Sequence, residues 1–179
     1  YGEWEDIPPG RRAAYQGTLP LPGEAADRGM YHMTKEFLME QGYGRYEISN
    51  YAKTGGECRH NIRYWTGSDY LGLGLGAASL MDGARFTVTR SLKEYLGRTP
   101  EDFRLGKQYR ETHVLSVREK MEEFMFLGLR MIRGVEAAGF SRRFGTRLEA
   151  VYQKACAGLM EDGLLASSGE GDEKRYYLT

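Results

Sequence analysis

Glu57-Cys58-Arg59-His60-Asn61-Ile62-Arg63-Tyr64-Trp65, followed closely by Asp69-Tyr70-Leu71-Gly72-Leu73-Gly74-Leu75-Gly76-Ala77-Ala78-Ser79, brings together a thiol, an imidazole, an amide, phenols, an indole and two guanidinium groups. The apolar positions of the first stretch follow neither the 3.6-residue period of a helix nor the two-residue period of a strand, which predicts a functional loop. In the second, leucines at 71, 73 and 75 alternate with glycines at 72, 74 and 76, which predicts a strand with one leucine face and one bare face. Glycine weakens a strand interior and is kept there where a ligand or another backbone comes close. Upstream, residues 46–52 alternate bulky and polar side chains and predict a strand, broken by Lys53-Thr54-Gly55-Gly56. Before it, Ala26, Met30, Met33, Phe37 and Leu38 recur at helical spacing, with acidic residues at the start and Gly42 as the stop. Helix, strand and then a loop at the strand's C-terminal end is the order of an α/β barrel or doubly wound sheet, in which such ends carry the site.

Downstream, Asp82-Gly83 predicts a hairpin turn into a strand over residues 85–89, and residues 91–96 a short helix or turn. Residues 97–114 read as a polar connector, which places a boundary between a first domain, 1–106, and a second, 107–179. Ser116-Val117-Arg118-Glu119 is a capping box heading a long helix. Residues 135–144 predict a second helix ended by Gly145, and residues 146–162 a third ended by Gly163. Leu164-Leu165-Ala166 and Arg175-Tyr176-Tyr177-Leu178 flank a polar tip as a terminal hairpin. Three helices and a hairpin form a winged-helix-like arrangement, with Phe124, Phe126 and Tyr152 expected in its core. The fold class is α/β, or α+β over the whole chain. Residues 1–22 contain two proline-rich turns and predict an extended lead-in.

At 179 residues and 41% hydrophobic, the chain can bury a core, and 25 basic against 25 acidic residues leave no net field to attract nucleic acid or an anionic membrane. Two distant cysteines, Cys58 and Cys156, suit a reducing cytosol. No run of 18 apolar residues and no signal peptide is present, and the opening at Tyr1 suggests a piece of a longer protein. With His32 and His113 far from Cys58 and His60, the ligand count disfavours structural zinc. A Cys58–His60 nucleophile lacks a third, orienting group. Gly72-x-Gly74-x-Gly76 departs from the dinucleotide fingerprint in its spacing, and the residues after it read as a hairpin rather than a helix. A flat, largely apolar ring system suits the residues better: Tyr64 and Trp65 as walls, His60 or Cys58 as a metal ligand, Arg59 and Arg63 as cations for carboxylates. The same residues also suit a plain structural use, with Tyr64 and Trp65 plugging a barrel end while His60 and Asn61 cap backbone.

The ordered set Tyr46-Glu47-Ile48-Ser49-Asn50-Tyr51-Ala52, Glu57-Cys58-Arg59-His60-Asn61-x-x-Tyr64-Trp65, Asp69-Tyr70-Leu71-Gly72, Gly74-x-Gly76-Ala77-x-Ser79 and Glu122-Glu123-Phe124-Met125-x-Leu127-Gly128-Leu129-Arg130 resembles the HemW branch of the oxygen-independent coproporphyrinogen III oxidase family. The resemblance implies a radical S-adenosylmethionine protein with a partial, TIM-like α/β barrel and a small helical C-terminal domain. Family members bind a [4Fe–4S] cluster through a CxxxCxxC motif. This chain has no such motif, so it is expected to represent the C-terminal portion and to perform no radical chemistry alone. The resemblance ties the HNxxYW pattern, His60-Asn61-x-x-Tyr64-Trp65, to haem binding, with His60 as iron ligand, and sets Cys58, Arg59 and Arg63 beside it. Gly74, Gly76, Ala77 and Ser79 match the segment lining the cofactor side. The family commonly has histidine where this chain has Ala78.

The function implied is haem trafficking by a haem chaperone, with haem or porphyrin as ligand and a haem-accepting protein as partner in the cytoplasm. The alternative is coproporphyrinogen III oxidase activity. A rival class is a winged-helix DNA binder using Arg142, Arg143, Arg147 and Lys154, but Glu149, Glu161, Asp162, Asp172 and Glu173 surround these and would largely cancel phosphate contacts. Exposed strand edges suggest self-association.

Overall fold

The structure is a computed structural model that describes residues 22–179. The lead-in expected over residues 1–22 therefore lies almost wholly outside the described residues. The chain divides into two compact units, residues 1–44 and 45–179.

In the first unit, helix α1 spans Glu24–Glu40. Glu24 and Asp27 sit in its first turn, where a carboxylate complements the helix dipole, and Glu24 pairs with Arg28 at 2.9 Å. Gly42, at φ 78°, ends it as expected. Its Met30, Met33, Phe37 and Met39 are exposed.

The second unit opens with a short ribbon of β1 (Gly44–Arg45) and β2 (Tyr51–Ala52). Of the strand expected over residues 46–52, only Tyr51–Ala52 is strand, with Glu47 in an isolated bridge to Met131. The cause is Glu47, whose carboxylate accepts from the Ser49 amide at 2.8 Å and from the Asn50 side chain, folding the chain back on itself. Helix α2 (Arg59–Trp65) follows. Strands β3 (Ala78–Met81) and β4 (Ala84–Val88) form an antiparallel hairpin. It turns on Asp82 and Gly83, both in the left-handed region at φ 50° and 74°, the conformation for which Asp-Gly is selected. Strand β5 (Tyr109–Val114) adds to β4, with a register shift between Arg85 and Thr87.

The segment between these strands holds α3 (Leu92–Leu96) and α4 (Pro100–Arg104). Pro100 in the first turn and a Thr99–Asp102 capping box start α4. The connector expected over residues 97–114 is therefore structured. Its polarity reflects an exposed helix and an exposed edge strand.

The last third matches the winged-helix expectation. Helix α5 (Val117–Gly128) starts at the Ser116–Glu119 capping box. Strand β6 (Val135–Glu136) leads into α6 (Ala137–Phe144), which ends at Gly145 in the left-handed region. Helix α7 (Leu148–Glu161) and the hairpin of β7 (Leu165–Ser168) and β8 (Arg175–Leu178) complete it, in the sheet order β6-β8-β7. The second helix starts two residues later than expected because Val135 and Glu136 pair with Tyr176 and Arg175. Gly134 makes that entry possible, since a Cβ there would strike the Tyr176 carbonyl.

The core of this part is Met125, Val135, Ala137, Phe140, Leu148, Cys156, Leu165 and Tyr176. Phe140 and Leu148 are fully buried, and the rings of Phe124, Phe144 and Tyr152 surround Phe140 at 5.4, 4.7 and 5.9 Å. Phe126, expected in the core, is instead 58% exposed. The fold as a whole is mixed α and β. The pairings within both three-stranded sheets are antiparallel, and the sheets of the described residues close no barrel.

Two outcomes are expected from this packing. Phe140→Ala should cost about 3–5 kcal/mol and Phe126→Ala no more than about 0.5 kcal/mol in urea unfolding. Glu119 accepts from the Ser116 hydroxyl and amide and from His113, which hold its carboxyl down at about 2. An unfolded glutamate titrates near about 4.3, so this stabilisation is present above that pH and is lost as pH falls toward the folded value. Melting temperatures of the parent and Glu119→Gln should therefore converge as pH drops from 5 to 2 (roughly the window set by the two values).

Candidate functional site

Residues 59–65 of the chemically dense stretch form a helix, not the expected loop. Its order is visible only in pairs one turn apart: Arg59 with Arg63, His60 with Tyr64, Asn61 with Trp65. The helix therefore carries three differently functionalised stripes rather than one apolar face, which is why hydrophobic periodicity is silent. Cys58 is its N-cap residue, makes no capping hydrogen bond and is exposed.

On one stripe, His60 Nε2 and Tyr64 Oη share a hydrogen bond at 2.6 Å, and the two rings meet edge to face at 4.7 Å. Tyr70, beyond the helix, meets Tyr64 edge to face at 4.5 Å. His60 is exposed and Tyr64 half-buried. Arg59 and Arg63, on the neighbouring stripe, are exposed, and Arg63 donates to the Asp69 carbonyl at 3.3 Å.

Trp65 faces elsewhere. The Arg130 guanidinium stacks over its ring at 4.2 Å, and Arg130 in turn pairs with Glu47 at 3.5 Å. Glu47 has no exposed surface. Trp65, Phe124, Gly128, Met131 and Arg133 line a cleft of about 200 Å³. At the C-terminal end of α2, Arg143 donates to the carbonyls of Thr66 and Gly67 at 3.2 and 3.0 Å. Helix ends leave such carbonyls without intrahelical partners, and a cation there also meets the negative end of the dipole.

The leucine-glycine run is not a strand. Leu71, Leu73 and Leu75 are all exposed, and the chain turns at Gly74 and Gly76, at φ 100° and 69°. Tyr70 pairs with Leu80 across the loop, through amide-to-carbonyl bonds of 2.8 and 3.0 Å. Ser79 is fully buried and its hydroxyl accepts from the Gly72 amide at 3.0 Å. A Cβ at Gly72 would collide with the Ala78 carbonyl, so the bare backbone admits another part of this same loop. Only Ala78 and Ser79 of the run enter β3.

The structure thus brings His60, Tyr64 and Tyr70 together and sets Arg59 and Arg63 on a flank. It sends Asn61 and Trp65 to another side, and places Gly74, Gly76, Ala77 and Ser79 in a loop held by its own hydrogen bonds. Sequence reasoning assigned no site role to Tyr70, Glu47 or Arg130, and named Arg143 only as a contact in the rival DNA-binding reading. Tyr70, Glu47 and Arg130 lie inside the HemW-like motifs, whereas Arg143 has no local signal, because its partners are 76 and 77 residues away. The two thiols sit in opposite settings. Cys156 is buried in the α5–α7 core, which pushes its thiol up, while Cys58 is open to solvent. Among the described residues, no group of three His, Cys, Asp or Glu side chains gathers to hold a metal ion.

Residues 115–171 match the HemN C-terminal domain family. The fold matches that of coproporphyrinogen III oxidase (HemN) from Escherichia coli, described as a radical SAM enzyme, with a TM-score of 0.64 at 20% identity, over 89% of this chain and 38% of the enzyme. Fold and domain together define a protein built like part of a HemN-type enzyme. The chain is 35% identical to the heme chaperone HemW of Bacillus subtilis (strain 168) over 164 residues, 92% of this chain and 41% of the relative. It is 34% identical to the heme chaperone HemW of Lactococcus lactis subsp. lactis over the same shares. The chain belongs to the HemW-type family. It spans about two fifths of the length of these relatives.

The donor set of this chain does not fit a [4Fe–4S] cluster, which is held by several thiolates, since its two cysteines are one buried core residue and one helix cap. Their settings predict unequal reactivity. A thiol-reactive dye should modify one equivalent per chain, at Cys58, in native buffer and a second, at Cys156, only in denaturant; a Cys58→Ser variant should show none before unfolding.

Proposed function

We propose that the chain acts in haem trafficking as part of a HemW-like haem chaperone, with haem as cargo held on α2. The observation that carries this reading is an exposed imidazole, His60, one helical turn from a tyrosine ring on the helix bearing the HNxxYW pattern. Relatives at 34 and 35% identity, both named heme chaperones, support it. His60 supplies the iron ligand. Tyr64 and Tyr70 offer ring edges and faces to the macrocycle, and Arg59 and Arg63 reach the propionates. Cys58, at the head of the helix, is the competing ligand. Trp65 and Asn61 belong to the side that fixes the helix rather than to the porphyrin wall.

In the whole protein, residues 1–106 would continue a radical-SAM barrel and residues 107–179 form the HemN-type domain. An iron–sulfur cluster and S-adenosylmethionine would then belong to parts of the protein beyond these residues, and haem would pass to an accepting protein in the cytoplasm. No helix among the described residues is long and apolar enough to cross a membrane. Coproporphyrinogen oxidation is the second reading, supported by likeness of fold to HemN. DNA binding is supported less, because Arg142 and Arg147 pair with Glu136 and Glu149 at 3.4 and 3.8 Å and Arg143 is engaged by α2.

Haem titration followed by the Soret band tests the proposal. Saturable binding that is lost in His60→Ala and kept in Cys58→Ala is expected; equal binding by parent and His60→Ala would overturn the ligand assignment. The tyrosine sharpens the test. If iron takes Nε2, it displaces the Tyr64 hydroxyl, so Tyr64→Phe removes a competing hydrogen bond of about 1 kcal/mol and should tighten haem binding about fivefold.

A further inference from the structure

We infer that Arg143 and Arg130, both from the C-terminal domain, are positioning residues that fix the haem-bearing helix α2, so that this domain sets the geometry of His60. The inference rests on the haem reading of α2 for its consequence, though the geometry of the two arginines stands independently of it. A seven-residue helix is far below the length at which a helix holds itself in water, so the orientation of α2 must come from tertiary contacts. Two of those contacts, at its C-terminal end, come from arginines of the C-terminal domain.

Arg143, in the last turn of α6, gives both terminal nitrogens to the carbonyls of Thr66 and Gly67, immediately after the last residue of α2. The fork geometry of guanidinium suits two adjacent acceptors, and the cation sits at the negative pole of the helix. Gly67 lies in the left-handed region at φ 59°, which favours glycine, and a Cβ there would stand 3.2 Å from that guanidinium.

Arg130, just past α5, holds the other side. Its guanidinium carbon lies over the Trp65 ring, 4.2 Å from the centroid, and the arginine pairs with the buried Glu47 at 3.5 Å. Backbone bonds fasten this anchor to the domain: the Ile48 amide donates to the Arg130 carbonyl at 3.1 Å and the Ile132 amide to the Tyr46 carbonyl at 3.1 Å. One arginine therefore fixes where α2 ends and the other fixes its rotation about its own axis through the Trp65 ring. Rotation is what decides where His60 points, because His60 and Trp65 sit on different faces of the same rigid element.

The test uses Arg143→Met, Arg143→Lys and Arg130→Lys in the full chain. Arg143 is exposed, so its replacement leaves no buried charge, and Arg130→Lys keeps a cation for Glu47 while losing the flat stacking surface. Haem affinity should fall about tenfold in Arg143→Met, as for loss of charge-assisted hydrogen bonds, with a displaced Soret maximum and partial recovery in Arg143→Lys. Melting temperature should stay within about 2 °C of the parent. A haem-free readout runs beside it: with Trp4 replaced by Phe, Trp65 is the sole indole, and Arg130→Lys should raise its quenching by acrylamide and shift its emission to the red.

Parent-like affinity and Soret position in Arg143→Met, in a chain whose binding does depend on His60, would overturn the positioning role and leave the haem reading intact. If the parent's haem binding ignores His60, the haem reading fails and the Trp65 signal decides alone. Changed quenching then supports the positioning of α2 by Arg130, and unchanged quenching overturns it.

Discussion

A carboxylate with no exposed surface must be matched by donors, and the arrangement of the second unit depends on how Glu47 meets that demand. It accepts from the Ser49 amide and the Asn50 side chain, which bends residues 46–50 out of strand geometry, and it draws in Arg130. With Arg130 held, its guanidinium face becomes a fixed platform for Trp65. The backbone of residues 46–48 then runs against 130–132 in a short bridge rather than continuing as a barrel strand. Removing one partner of such a pair is far more damaging than never having had it, because the other charge stays buried. The motif residues 46–50 and the segment ending at Arg130 are therefore two halves of one electrostatic joint.

That joint gives α2 a division of labour. Trp65 is engaged by Arg130, whereas His60 is left exposed, with Tyr70 bracing the half-buried Tyr64. In the haem proposal, this asymmetry keeps the ligand stripe apart from the packing. The His60–Tyr64 hydrogen bond gives the ring nitrogen a partner within the helix.

What was legible in the sequence was local. The Ser116–Glu119 capping box, the Asp82-Gly83 turn, the Gly145 stop and the terminal hairpin all rest on interactions within a few residues, and they are found where expected. What was illegible was imposed from a distance. Residues 71–77 alternate like a strand, yet they find no neighbouring strand, and Ser79 closes them into a loop through Gly72. Stretch 59–65 lacks helical hydrophobic periodicity because its stripes differ in chemistry rather than in polarity. At the site, the pattern of residues named His60 and Tyr64, but Arg143, which donates to the carbonyls at the end of their helix, lies 76 and 77 residues from its acceptors, beyond any local window.

On the inference that Arg143 positions α2, the C-terminal domain differs in use from most winged helices. In a DNA reader, cations stand free on the exposed helix and wing to meet phosphate. Here Arg142, Arg147 and Lys174 each face a glutamate of their own domain, and Arg175 pairs with Glu136 across the sheet. Arg143 alone among these five reaches out of the domain core, and what it meets is the negative end of α2 rather than a phosphate. A helix C-terminus and a phosphate make the same electrostatic demand on a guanidinium. In this domain of winged-helix layout, one arginine thus faces an internal acceptor while the other four basic side chains lie beside carboxylates of their own domain.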